Sequence, residues 1–171
     1  MKFISTPILI LSICLVFVNF YSDINHSLPY KECQKQHTIY FDTSRPSYVN
    51  KDYIKKQIDK MFNCTYLLTF NKLNEPVDGI SYIPLKLIVL DQDLTCEEFA
   101  LTLAHELVHI TQYTSNERYT TFKTFILLYE SQNEYFKNIA LAYAELDFNG
   151  LMPKEYSCAG YIEEYLAENI N

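Results

Sequence analysis

The chain is predicted to form one α+β domain, a small sheet packed on a helix that carries His105-Glu106-Leu107-Val108-His109, followed by a long antiparallel helix. Three features lead there. Short β-branched and aromatic runs occupy residues 64–70 and 80–90. A capping box, Thr95 with Glu98 three positions on, opens an apolar run without Gly or Pro. Residues 117–148 then continue without either breaker until Asn149-Gly150 and Pro153 stop them.

Taken in order, residues 37–43 read as a strand interrupted by Ser44-Arg45-Pro46-Ser47. Residues 52–62 carry Tyr53, Ile54, Ile58, Met61 and Phe62 at helical spacing. The 64–70 strand leads into a turn region over 71–79 containing Pro76, and residues 80–90 supply one more strand, or two broken at Pro84. The helix after Thr95 includes the His-Glu-Leu-Val-His run, and the polar residues 112–116 form a turn. Phe122, Tyr129, Phe136 and Tyr143 recur every seventh residue, which predicts one long helix over 117–148 or two nearly collinear ones. A short tail helix over about 153–168 completes the domain, with Gly160 as its weak point.

Residues 1–22 have the pattern of a targeting segment, with Met1-Lys2 as the positive start and a largely apolar run over 3–20. Small residues wanted for cleavage are missing around Phe20-Tyr21-Ser22. A signal peptide and an uncleaved signal anchor therefore both stay open, since about 18 apolar residues just span a bilayer core. Lys2 on the N-terminal side leaves the domain, residues 28–171, secreted or otherwise extracytoplasmic under either reading. Cys33, Cys64, Cys96 and Cys158 form an even, widely spaced set without a C-x-x-C pair, which suits disulfides in that compartment. Asn25-His26-Ser27 and Asn63-Cys64-Thr65 are glycosylation triplets of the kind that chance readily supplies.

Composition narrows the function. A formal net charge of -7 repels phosphate backbones, and no basic run with interleaved aromatics reverses it, so nucleic acid is not expected as a partner. Three glycines leave no room for a phosphate-cradling loop. Hydrophobic residues at 49% and charged ones at 20% are those of a folded domain, and a length of 171 allows a single core and one active site.

The chemistry-bearing residues lie on the capped helix. Positions four apart share a face, so His105 and His109 can aim two imidazoles at one point, where a divalent metal fits. Leu101, Leu103, Ala104, Leu107, Val108 and Ile110 surround them, and burying two histidines and a glutamate unpaired among such neighbours is costly. A metal removes that cost. Zn2+ lowers the pKa of a bound water to about 7. Glu106, one step round the helix, is placed to take that water's proton and pass it to a leaving amine.

Thr102-Leu103-Ala104-His105-Glu106-Leu107-Val108-His109-Ile110 resembles the active helix of the zincin metallopeptidases, which carry the HExxH motif. The resemblance implies a zinc-dependent peptidase acting on a polypeptide, with His105 and His109 as metal ligands and Glu106 as general base. It also implies that an edge strand from residues 80–90 pairs with substrate. Gln112 stands where metzincins have Gly and no histidine follows His109, so the gluzincin branch, with a glutamate as third ligand, is the closer likeness. Glu117, in Asn116-Glu117-Arg118-Tyr119-Thr120-Thr121, resembles the Glu-x-x-Ala-Asp signature with Thr in place of Ala and Asp, although Thr114 and Glu117 also read as a capping box. Glu130 fits the spacing of larger gluzincins, with Glu134 four residues on.

Helix geometry separates the two. They lie roughly 20 Å apart on a continuous helix, so only one can reach a single metal, and a short turn at 112–116 brings Glu117 level with His109. Glu117 is the favoured third ligand and Glu130 the alternative. Tyr156 and Tyr161 could return to the site as hydrogen-bond donors to an oxyanion, but in a chain with 15 tyrosines they are not assigned a catalytic role. His26 and His37 are read as structural or exposed. Membrane contact is expected only through an uncleaved anchor. The rival reading is a catalytically inactive zincin-like protein that binds metal or a partner; a purely structural site would have no use for Glu106.

Overall fold

The computed structural model describes residues 49–169. Residues 1–22, expected to be a leader, the strand expected over 37–43, Cys33, His26, His37 and the Asn25 triplet lie outside them. Helix α1, Lys51–Phe62, starts where the Asn50 side chain accepts the Tyr53 N–H and stops at Asn63 in the left-handed conformation. Its Ile54 and Ile58, four apart on one face, are fully buried.

Three strands follow: β1, Leu67–Asn71; β2, Gly79–Tyr82; and β3, Leu87–Asp91. They form a sheet of order β1-β3-β2, with β3 parallel to β1 and antiparallel to β2. Residues 80–90 thus resolve into two strands. Pro84, which has no N–H for a ladder, sits in a 3-10 turn over Ile83–Leu85, and Lys86 takes a left-handed conformation before β3. Central β3 buries Leu87, Ile88 and Leu90, whereas β2 lies at an edge of the sheet among the described residues.

Helix α2, Cys96–Gln112, begins at a complete capping box: the Thr95 N–H donates to Glu98 Oε2 at 2.8 Å, and the Glu98 N–H donates to Thr95 Oγ1 at 3.2 Å. It is the central element. It packs on α1, β2, β3 and the next two helices, which is why Phe99, Ala100, Leu103, Ala104, Leu107 and Ile110 are all buried and its apolar surface is so broad. Cutting Leu103 or Leu107 to Ala here would cost about 2–5 kcal/mol through lost burial and the cavity left behind.

The expectation of a long or collinear helix over 117–148 is corrected. Helix α3 spans Glu117–Tyr129 and α4 spans Glu134–Phe148, and the two pack against each other. Small polar side chains make the break without Gly or Pro. Ser131 Oγ accepts the Asn133 N–H at 3.2 Å, and Asn133 Oδ1 accepts the Tyr135 N–H at 3.0 Å, offering the backbone an alternative to the helix. The aromatic spacing of seven is therefore two pairs, one on each helix. Helix α5, Ala159–Asn169, is shorter at its start than the expected tail helix. Cys96 is disulfide-bonded to a partner outside the described residues, while Cys64 and Cys158 are free, so these four cysteines do not close two bridges. No described helix is long and apolar enough to cross a membrane.

Candidate metal centre

The i, i+4 spacing on α2 turns both imidazoles to one side, with His105 Nε2 and His109 Nε2 3.1 Å apart and the rings edge-on at 74°. A left-handed residue, Tyr113, ends α2, and after a short turn Asn116 caps α3 by accepting the Tyr119 N–H. That reversal delivers Glu117, the first residue of α3, to the histidines: its Oε2 lies 3.0 Å from His105 Nε2 and 3.2 Å from His109 Nε2. A tetrahedral zinc with bonds of about 2.0–2.1 Å spaces its donors by roughly 3.3 Å, close to these three separations. Among the described residues these three side chains form the group of His, Cys, Asp or Glu able to hold a metal.

His109 Nδ1 lies 2.7 Å from the Thr114 carbonyl oxygen, which can only accept, so Nδ1 carries the hydrogen and Nε2 of the neutral ring presents a lone pair. The Thr120 hydroxyl sits 3.3 Å from the same Nδ1. The Glu117 carboxyl is held below its ordinary range, first by its hydrogen bond with His105, against an opposing push from burial. An ionised Oε2 then faces the lone pair of His109. One proton on His105 Nε2 can be given to Glu117 or to His109, not to both, whereas one metal ion satisfies all three donors.

Glu106 is 6% exposed. Burial pushes its carboxyl up; the His105 imidazole, a hydrogen bond with Ser81 and His109 pull it back, while Glu117 adds to the rise. Its Cγ lies against Gly79 of β2, where an added Cβ would come within 3.1 Å of it. The segment before α5 brings Tyr156 to His105, with ring centroids 6.0 Å apart. Burial raises the Tyr156 phenol, and Glu117, Glu155, Glu106 and Asp78 raise it further, so it stays protonated and able to donate.

Glu130 is not brought into this cluster. It is exposed at the end of α3 and accepts the Tyr165 hydroxyl at 2.6 Å. Tyr161 packs on Phe122 at 5.7 Å. Sequence reasoning missed Ser81, Gly79, Thr114 and Thr120 as neighbours of the cluster, and the structure brings Tyr156 to it. Only Gly79 had a local signal, an isolated glycine opening a strand where another element approaches closely. No family model, curated protein or solved structure matches the chain.

Proposed function

We propose that the chain is a zinc-dependent peptidase of the zincin type, in which His105, His109 and Glu117 hold the metal and Glu106 is the general base. The reading is carried by the three converging donor atoms, with the His109 lone pair fixed toward the cluster by the Thr114 carbonyl. Zinc in such a site supplies a Lewis acid that polarises a substrate carbonyl and makes water acidic. Glu106 Oε takes the proton from the attacking water and delivers it to the leaving amine nitrogen; a carboxyl raised by burial suits both steps. The Tyr156 hydroxyl donates to the oxygen on which negative charge develops. The outer edge of β2, unpaired among the described residues and next to Glu106, pairs with the substrate backbone. The protein works outside the cytoplasm, as residues 1–22 suggest.

The test is zinc content and cleavage of an unfolded protein substrate by the folded domain, beside Glu106→Gln. The parent should carry one zinc and cleave; the variant should keep the zinc and lose cleavage, because the amide retains the shape without the base. A parent with no zinc after purification free of chelators would overturn the reading. A variant that cleaves as fast as the parent would remove Glu106 from its role.

A further inference from the structure

Tyr156 lies in a stretch without regular secondary structure between α4 and α5, and its place beside His105 depends on how that stretch is held. Gly150 leaves α4 in the left-handed conformation, and the Tyr156 and Ser157 N–H groups both close on the Pro153 carbonyl at 3.0 Å, so the segment folds as a compact turn. Two side chains tie it to the domain. On the exposed side Arg118, next to the ligand Glu117, donates to the Lys154 carbonyl at 3.2 Å. On the buried side Asp147 Oδ2 accepts the Cys158 N–H at 2.7 Å, bridging the end of α4 to the residue before α5.

Asp147 is an unusual choice for that tie. It is 4% exposed, and its other oxygen, Oδ1, has no hydrogen-bond partner among the described residues. A carboxylate in the last turn of α4 also opposes that helix's dipole. Neither feature helps α4. What the carboxylate does provide is a short, buried bond two residues from Tyr156, at the point where the turn must enter α5.

We infer that Asp147 is a positioning residue that holds the turn carrying Tyr156, so that the phenol faces the His105–His109–Glu117 cluster. The bond clamps the base of the turn, and the Arg118 bond steadies its far side at a solvent-exposed position where a single hydrogen bond contributes less. Loss of the clamp frees the turn to move while leaving the metal donors, which belong to α2 and α3, in place. The inference rests on the metal-centre reading, and cobalt substitution allows each to fail separately.

The experiment follows the tyrosine ring resonances of the full domain loaded with Co2+. Tyr156 is recognised as the signal absent in Tyr156→Phe, and its closeness to His105 predicts a large paramagnetic shift. Asp147→Ala should move that signal back toward its zinc-form position while cobalt stays bound. Asp147→Asn, whose amide oxygen can accept the same N–H, should restore it. Cleavage should follow: Asp147→Ala should lower kcat roughly tenfold with little change in KM, and should have no further effect in the Tyr156→Phe background. A Tyr156 signal unchanged in Asp147→Ala, or losses from the two changes that simply add, would overturn the inference. A parent that binds Co2+ but cleaves nothing would defeat the peptidase reading alone, leaving the ring shift to judge Asp147. Failure to bind Co2+ would overturn both. Should Asp147→Ala not fold, Asp147→Ser, too short to reach the Cys158 amide, carries the same test.

Discussion

His109 Nδ1 and the Thr114 carbonyl oxygen, 2.7 Å apart, join the last turn of α2 to the turn that follows it. The left-handed Tyr113 folds the chain back, the Thr114 N–H reaches the His109 carbonyl at 3.3 Å, and the Thr114 carbonyl is left under the imidazole. One short turn thus orients one proposed metal ligand through backbone and delivers another, Glu117, three residues later. Outer partners of this kind fix a ligating histidine's tautomer and direction.

The first prediction concerns that delivery. Glu117→Ala should weaken zinc binding by well over tenfold in competition with a chelator, since a third donor is lost. Glu130→Ala should leave zinc binding unchanged and remove only an exposed hydrogen bond to Tyr165. If Glu130→Ala is the damaging change, the cluster described here is not the metal site.

How far the sequence reveals this arrangement depends on whether the contacts are local. Thr95 with Glu98, His105 with His109, and the polar turn before Glu117 are all set by spacing within one or two helical turns, and the sequence shows them. Glu106 with Ser81, His105 with Tyr156, and Asp147 with Cys158 depend on how the sheet and the tail pack on α2 and α4. No local pattern announces them. The break between α3 and α4 falls between these cases: its signal was present in Ser131 and Asn133, but such caps also occur on continuous helices, where the side chain turns to solvent.

That break yields a second prediction. Asn133→Ala removes the side-chain acceptor for the Tyr135 N–H and the donor to the Tyr53 hydroxyl at 2.8 Å. The loss of the cap alone should lower stability by about 1 kcal/mol in urea unfolding. A variant as stable as the parent would mean that packing between α3 and α4 sets the break unaided.

Thiol reactivity supplies a third. Cys158 is buried, and burial followed by the neighbouring Asp147 carboxylate pushes its thiol up to about 12. The thiolate is the reactive form, so this thiol should resist alkylation in the native protein from neutral pH to well above pH 9. Cys64, half-buried, is also raised, by burial first, and should react slowly. After unfolding without reductant, Cys64 and Cys158 should both be labelled and Cys96 should not. Labelled Cys96 in the intact mass spectrum would show that its disulfide is absent.

The last prediction concerns the approach of β2 to α2. A Cβ built at Gly79 would lie 2.6 Å from Thr102 Cγ2, 2.9 Å from Leu90 Cδ2 and 3.1 Å from Glu106 Cγ. The first two distances are closer than carbon atoms tolerate, and Leu90 is fully buried with little room to yield. Gly79→Ala is therefore expected to shift Thr102 and Leu90 and to move the strand off the helix, at a cost of about 1–3 kcal/mol for an overpacked contact. Ser81, on the same face of β2 two residues on, moves with it and away from the Glu106 carboxyl it helps to hold down. The proposed zinc ligands, on α2 and α3, stay where they are. Zinc content should be unchanged while cleavage falls. Thr102→Ser removes the methyl nearest the new Cβ, so the pair Gly79→Ala with Thr102→Ser should recover part of both stability and cleavage. If Gly79→Ala is silent in both, the strand does not lie against Glu106 as described; if it loses zinc together with activity, β2 supports the metal ligands themselves as well as the base.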